Sequence, residues 1–333
     1  MEIDNSRNNG RAAAKVVSRE ALEETPLVSI GLPVYNGERY LRRALDCLLA
    51  QDYPCFELLI SDNASTDQTR QIYEEYSARD ARITLNVNKS NIGIIPNFQR
   101  VLDRARGKYF MWAAHDDTWD PTFISSMVRE LENHPEAAVA MCTVKRVHEN
   151  GTTHDIVRHS GRTNPNVMSP FQLALALAEG SPHHLFIYGL FHTEFLRQAF
   201  HNFPRVISGD RVMMIQVALS ARFRYVDELL HDRYINDQPM LVRYKDDDFG
   251  RLWQKPRAQF KRDLALGPYL LRSRIIPWRR KLWVPIIVGK LILNRLYNRL
   301  YSFLYRLRGR IFGSGGWRKR MARYVRNLDI NSR

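Results

Sequence analysis

The chain has 333 residues, 44% of them apolar, with 50 Lys and Arg against 35 Asp and Glu and a net charge of +15. That composition fits a globular protein of one large or two modest domains and excludes a low-complexity or fibrous chain. Three cysteines (Cys47, Cys55, Cys142) exclude a disulfide framework and a cysteine-based metal cluster, and read as reduced, buried thiols.

The charge is unevenly divided. Residues 251–333 hold 22 Lys and Arg against Asp263 and Asp329, a net +20, whereas residues 1–250 hold 28 against 33 acids, a net −5. A mildly acidic body is thus followed by a basic segment suited to an anionic surface.

In chain order, the opening MEIDNSRNNGR is polar and carries no secretory signal, so residues 1–25 are expected to be a disordered leader. LVSIGL (27–32) reads as a buried strand, broken by Pro33, Asn36 and Gly37. ERYLRRALDCLLAQ follows as a helix with Leu41, Leu45, Leu48 and Leu49 on one face. FELLIS (56–61) is a second strand, running into DNASTDQT and a helix over 67–78. RITLNVN (82–88) is a third, broken at Asn91 and Gly93 before a helix over 95–106. KYFMWAA is a fourth, ending in His115-Asp116-Asp117; Pro121 opens a helix over 121–134, and AAVAMCTVKRVHENG is a further strand. RFRYVDELL is a later strand, ending at Asp227-Glu228.

This alternation argues for an α/β protein with a mostly parallel sheet flanked by helices. In such sheets ligands bind beyond the carboxyl ends of the strands. Tyr35-Asn36, Asp62-Asn63, Asn91 and His115-Asp116-Asp117 all lie at those ends, so one cleft is expected to collect them. Taken singly, each loop is equally well explained by turn and cap chemistry.

Two adjacent carboxylates stay ionised together only with a cation or strong donors to offset their repulsion. A divalent ion with oxygen ligands does this, and Mg²⁺ or Mn²⁺ completes its shell with substrate phosphates. Neither GxxxxGK[ST] nor GxGxxG is present, so phosphates would be held by metal and side chains and not by a glycine-rich loop. An acidic turn ahead of the Pro121 helix explains the pair as well.

From about Pro26 to Gln238 the chain resembles the inverting family 2 glycosyltransferases of the GT-A fold. The likeness rests on VSIGLPVYNGERYLRRALDCLLAQDYPCFELLISDNASTDQT, NKSNIGIIPNFQRVLDRARGKYF, AAHDDTWDP and VISGDRVMMIQVALSARFRYVDELL. RELENHPEAAVAMCTVKRVHENG and RYINDQ further resemble the branch that acts on spore-coat polysaccharide. The resemblance implies one catalytic domain over 26–245, with a nucleotide-sugar half (26–120) and an acceptor half (121–245), followed by a helical basic extension (246–333).

It also implies roles. Pro33, Tyr35 and Asn36 would pack on the nucleotide base, and Asp62-Asn63 would read it. His115, Asp116 and Asp117 would form the metal loop, Asp116 and Asp117 binding Mn²⁺ or Mg²⁺ with Asp116 as direct ligand. Asp210, in SGDR, would be the base that activates an acceptor hydroxyl. The donor would be a UDP- or dTDP-sugar and the acceptor a glycan or lipid-linked glycan, in surface polysaccharide synthesis. Two features depart from the family: Ala114 or His115 stands where a DXD motif has its first acid, and Arg233-Tyr234-Ile235-Asn236 lacks the usual late histidine. The incomplete motif leaves open a catalytically inactive, donor-binding scaffold protein.

In the tail, Leu293, Leu296, Leu300, Leu304, Leu307 and Ile311 recur at helical spacing. Arg295, Arg299, Ser302, Arg306 and Arg310 form another face, with Tyr297, Tyr301 and Tyr305 interleaved. No uncharged stretch approaches the ~18–20 residues a spanning helix needs. A basic amphipathic helix on an anionic membrane is expected, placing the protein peripherally on the cytoplasmic face. The same charge suits nucleic acid, but the long leucine stripe favours lipid and no nucleic-acid partner is expected.

Overall fold

The computed structural model describes residues 27–201, 203–204, 206, 208–235, 258–293 and 296–297. The expected leader, the 245/246 boundary and the tail stripe beyond Tyr297 lie outside the described residues. Nine strands form one sheet: β1 (Val28–Val34), β2 (Phe56–Asp62), β3 (Ile83–Val87), β4 (Tyr109–Trp112), β5 (Thr118–Trp119), β6 (Ala137–His148), β7 (Thr153–Val157), β8 (Leu190–His192) and β9 (Arg222–Ile235). Their order is β3-β2-β1-β4-β8-β6-β9-β5, with β7 beside β6. The helices are α1 (Leu41–Leu49), α2 (Thr69–Ser77), α3 (Ile94–Arg104), α4 (Phe123–Asn133), α5 (Pro170–Glu179), α6 (Thr193–Phe200), α7 (Gly209–Ser220), α8 (Ala258–Arg272), α9 (Trp278–Lys281) and α10, over 284–293.

Strands β3, β2, β1 and β4 are mutually parallel. Strands β1, β2 and β4 are buried along their whole length, which is why they read as unbroken apolar runs without alternation. Helices cover both faces. α1 buries Leu41, Ala44, Leu45 and Leu48, the inward stripe its leucine spacing predicts. The four parallel strands therefore deliver their following loops to one edge.

The far half of the sheet was less legible. β8 is a three-residue strand antiparallel to both β4 and β6. β6 and β9 run parallel, with an irregularity where Cys142 pairs Val226 and the next residue, Thr143, pairs Leu229. Asp227 and Glu228 are thus extra residues within β9, not its end. Such a bulge bends the strand. The bend is required by chain reach. β4 and β5 lie four places apart in the sheet, which at ~4.8 Å per strand is ~19 Å on a flat surface. Only five residues join them, and those include a tight turn, so the sheet curls to bring the end of β9 to the carboxyl end of β4.

α7 is the most deeply buried of the described helices after residue 120, with every residue from Val212 to Leu219 in the core. Its first residue is Gly209 for a steric reason: a Cβ there would lie 2.4 Å from the Pro204 carbonyl oxygen and 2.8 Å from the Phe203 ring. Gly209→Ala is expected to cost about 1–3 kcal/mol through overpacking and to shift the start of α7. A melting temperature equal to wild type would refute this.

The catalytic body also takes in residues assigned from sequence to the basic extension. Leu266, Leu270, Ile276, Val284 and Ile287 belong to the same buried cluster as β1 and α7. Tyr269 donates its hydroxyl to Gln216 of α7, and Arg280 caps that helix by donating to the carbonyls of Leu219 (3.1 Å) and Ser220 (3.2 Å). Cys142 is buried while Cys47 and Cys55 are half-buried, and all three are free thiols.

Candidate active site

The loop after β1 and the loop after β2 are laced together. Asn36 donates its backbone N–H to Ser65 Oγ (2.9 Å), and its side-chain oxygen accepts from Thr66 N–H (2.9 Å). Asn36 and Ala64 both adopt left-handed backbone (φ 49° and 62°), which non-glycine residues hold only when their surroundings enforce it. Pro33 is buried as the penultimate residue of β1, and Tyr35 is left 46% exposed beside the cleft.

Asp62 and Asn63 are buried and employed in building this wall. Asp62 Oδ1 accepts from Ser65 N–H (3.0 Å) and from its hydroxyl, and Oδ2 accepts from Tyr73 OH (3.1 Å). Asn63 donates to Asn91 Oδ1 (2.8 Å) and accepts from Ile92 N–H (2.9 Å) and Asn88 Nδ2 (3.1 Å). Asn88 extends the net to Asn97 (3.0 Å), which donates to the Ser61 carbonyl (2.9 Å). Side-chain amides carry both donors and acceptors, so such a net satisfies itself at a strand end where the sheet ladder has stopped. Asn91 thus supports the wall, while its own side chain remains exposed.

The metal-loop candidates lie in a turn closed by Asp117 N–H on the Ala114 carbonyl (3.3 Å), which puts His115 and Asp116 at its two central positions. The His115 ring lies over Gly37; a Cβ on Gly37 would come 2.9 Å from His115 Cδ2. Both are half-exposed, and the Asp116 backbone carbonyl accepts from Arg43 Nη2 (2.9 Å). Arg43 in turn stacks 3.7 Å from the Tyr234 ring centre, tying α1, the turn and the end of β9 together.

Asp117 points the other way. It is 1% exposed, Oδ2 accepts from His231 Nε2 (3.1 Å) and Oδ1 accepts from Tyr234 N–H (3.0 Å). His231 is itself buried and stacked on Trp119 at 5.3 Å and 4°. The two adjacent residues thus differ in environment, Asp116 half-buried in the turn and Asp117 buried and clamped to β9.

Asp210 occupies the first turn of α7, behind Ser208 in left-handed backbone (φ 54°). Ser208 makes no side-chain cap bond. Arg233, on β9, is the cation common to all these carboxylates. Burial pulls its guanidinium down, but the Tyr188 phenol, Asp117, Asp116 and Asp210 more than offset this and its pKa is raised. Its guanidinium carbon lies 5.2 Å from the Tyr188 ring centre. Burial pushes the Tyr188 phenol up, so it stays neutral. His184 faces the same pocket; burial lowers it to about 4 against the pull of Asp210, so it too is neutral at pH 7.

His183 is turned away. It stacks on His159 at 4.1 Å, and its Nε2 donates to the Thr163 carbonyl (2.8 Å). Burial drops His159 to about 3 and His183 to about 4. Folded values below the unfolded one near 6.5 mean the unfolded chain binds more protons as pH falls. Their stabilisation is complete above about pH 6.5 and is lost towards pH 3–4, on the order of 2 kcal/mol each by pH 5. Urea midpoints at pH 7 and pH 5 should differ accordingly in wild type and differ by less in His159→Phe/His183→Phe, where His184 still contributes. Asp227 is likewise occupied, accepting from Thr143 Oγ1 (3.0 Å) and Arg158 Nε (2.8 Å).

Among the described residues no group of three His, Cys, Asp or Glu side chains converges as a protein-only metal cage. Asp116, half-buried in the turn, offers a hard carboxylate oxygen of the kind that would share a divalent ion with substrate phosphate and water.

Comparison with known proteins identifies the family. The profile described as Glycosyl transferase family 2 matches residues 29–200. The chain belongs to glycosyltransferase family 2. An uncharacterised protein of Mycobacterium tuberculosis (strain ATCC 25618 / H37Rv) is 41% identical over 121 residues, 35% of each chain. The putative teichuronic acid biosynthesis glycosyltransferase TuaG of Bacillus subtilis (strain 168) is 36% identical over 94 residues, 28% of this chain and 37% of that one. The chain thus matches little more than a third of the length of these curated relatives. The crystal structure of S. aureus TarS 1-349 in complex with UDP-GlcNAc shares the fold at 18% identity, with a TM-score of 0.58 over 86% of this chain and 76% of that one.

In this family 2 member, sequence reasoning passed over Arg233, His231 and Tyr188. Arg233 stands out in the sequence only as part of a departure from a motif. The signal that would have found them is the alternation of His231, Arg233 and Ile235 along one strand face, opposite a buried acidic loop.

Proposed function

We propose that this protein is an inverting, metal-dependent glycosyltransferase. It moves a hexosyl group from a nucleoside-diphosphate sugar, UDP- or dTDP-linked, to a hydroxyl of a glycan or lipid-linked glycan in surface polysaccharide assembly. The observation that supports this reading is that Asp116 and Asp210, far apart in sequence, both act electrostatically on the Arg233 guanidinium. Family membership and the TuaG description support the reaction class, and the TarS complex makes a uracil nucleotide the first donor to test.

On this reading the base of the nucleotide lies on Tyr35 against the wall built by Asn36, Asp62, Asn63 and Asn91. A divalent cation held by Asp116, Mn²⁺ or Mg²⁺, would neutralise charge on the diphosphate and improve it as a leaving group. Arg233 adds a fixed positive charge on the same side. Asp210 accepts the proton of the acceptor hydroxyl as its oxygen attacks the anomeric carbon. The bond from that carbon to the diphosphate oxygen breaks with its electron pair leaving on the diphosphate, and configuration inverts. Asp117 acts as a positioning residue, using both oxygens to fix the metal loop on β9. The proposal includes a peripheral location on the cytoplasmic face of the membrane.

A thermal-shift panel of uridine, thymidine, guanosine and adenosine diphosphates with Mn²⁺ tests the donor assignment. A specific ligand stabilises by mass action, so one base should raise the melting temperature only when metal is present. A uniform response across bases, or none, would oppose the proposal.

A further inference from the structure

The last described helices are apolar on two faces, and among the described residues only one of these faces is buried against the body. In α10, Val284, Ile287 and Leu291 recur at spacings of three and four and are at most 9% exposed. They lock the helix to the body, helped by the Phe171–Trp283 ring contact at 5.5 Å and the Lys290–Glu179 ion pair at 2.7 Å. The opposite stripe steps through Trp278, Leu282, Ile286 and Leu293 at intervals of four and seven. Each of these is 57–70% exposed among the described residues, and Leu296 beside them is 56% exposed. A helix that has already buried one apolar face gains nothing in water from a second.

The charge beside this stripe has a single sign. From Leu264 to Tyr297 the sequence holds seven Lys and Arg and no Asp or Glu. Arg279 lies 5.5 Å over the Trp278 ring. A tryptophan flanked by cations at the rim of an apolar stripe suits the headgroup level of a bilayer, where the ring is half in hydrocarbon and the cations meet lipid phosphate. No helix among the described residues is long and apolar enough to cross a membrane, so the contact is made side-on.

We propose that the outer face of α9, α10 and the turn between them, Trp278-Leu282-Ile286-Leu293, is the surface by which this protein lies on an anionic lipid bilayer. This deepens the peripheral-membrane part of the proposed function but stands on different residues and needs no nucleotide. It also moves the contact upstream of the leucine stripe that the sequence suggests: the docking face begins on helices rigidly joined to the catalytic body. α10 is pinned to α5 by the Lys290–Glu179 pair, and α5 packs on α7, whose first turn carries Asp210. The active site would therefore be held at a fixed height and tilt over the lipid, an orientation suited to a lipid-linked acceptor.

The test is flotation of the full chain with vesicles of phosphatidylcholine, with and without phosphatidylglycerol. The protein should float with the anionic vesicles only. Leu282→Ser/Ile286→Ser/Leu293→Ser should reduce the bound fraction at least about tenfold, and Arg279→Glu/Lys281→Glu by a similar factor. All five positions lie off the catalytic cleft, and unchanged melting temperatures would show that folding is intact. Should the serine variant fold poorly, the charge-reversal variant carries the test alone.

Three results would overturn the proposal. One is that the wild-type chain fails to float. Another is a dimer in sedimentation that the serine substitutions dissociate, which would give the face to a second copy. The third is binding to single-stranded nucleic acid that depends on Arg279 and Lys281 but ignores the leucines. Because the readout involves no sugar donor, a negative result here leaves the transferase reading untouched, and an inactive enzyme that still floats would separate the two in the other direction.

Discussion

Asp210→Asn should abolish sugar transfer while leaving donor binding unchanged. The substitution keeps the shape of the side chain and its place in the first turn of α7, but an amide cannot take up the proton of an acceptor hydroxyl. Removal of a general base typically costs on the order of 10²–10⁴-fold, and the loss should fall on kcat with the donor KM little changed. The surroundings make the variant informative. Tyr188 is kept a neutral phenol by burial and offers no anionic base, and His184, lowered to about 4, offers only a neutral and weak one. Measurement is by turnover with a saturating nucleotide sugar, alongside calorimetric binding of the nucleoside diphosphate. Full turnover in the variant would show that the proton leaves by another route.

Asp116→Ala is expected to remove the metal-dependent part of donor binding. A saturating donor at about 100 times its Kd stabilises a protein by about 2.7 kcal/mol, and that increment with Mn²⁺ should vanish in the variant. Asp117→Asn makes the contrast. Its two oxygens serve His231 and the Tyr234 N–H, so the amide loses one of two interactions and should lower stability while retaining part of the metal response. If Asp117→Asn lost the metal response completely and Asp116→Ala kept it, the roles of the two carboxylates would be exchanged.

The nucleotide half was legible because its information is local. Each of β1, β2, β3 and β4 is an apolar run closed by a turn, and parallel order follows from the helices between them. The helix over 67–78 and the leucine face of α1 were legible for the same reason. The acceptor half was not, because its decisive contacts are remote in sequence. β8 is three residues long and takes its identity from β4 and β6 on either side. The bulge in β9 that displaces Asp227 is a property of its pairing with β6, invisible in RFRYVDELL itself. Within the site, the candidate acids and the Tyr35-Asn36 loop could be named from strand ends. The split between Asp116 and Asp117 could not, since it depends on His231, 114 residues further on. The tail was half legible: its helical spacing was visible, but the spacing alone gave no sign that Val284, Ile287 and Leu291 face inward.

The loop from Ala113 to Asp117 has a consequence for how this protein can change over time. It is anchored at one end in β4, at the other in β5, and clamped between by Asp117 and Arg43. A bridge with no slack fixes residue count more strictly than residue identity. His115 touches only the margin of the loop after β1 and is open to substitution, whereas one inserted or deleted residue would carry Asp116 around to the buried side. Length polymorphism among descendants of this sequence should therefore be absent from these five positions, even where their spelling drifts.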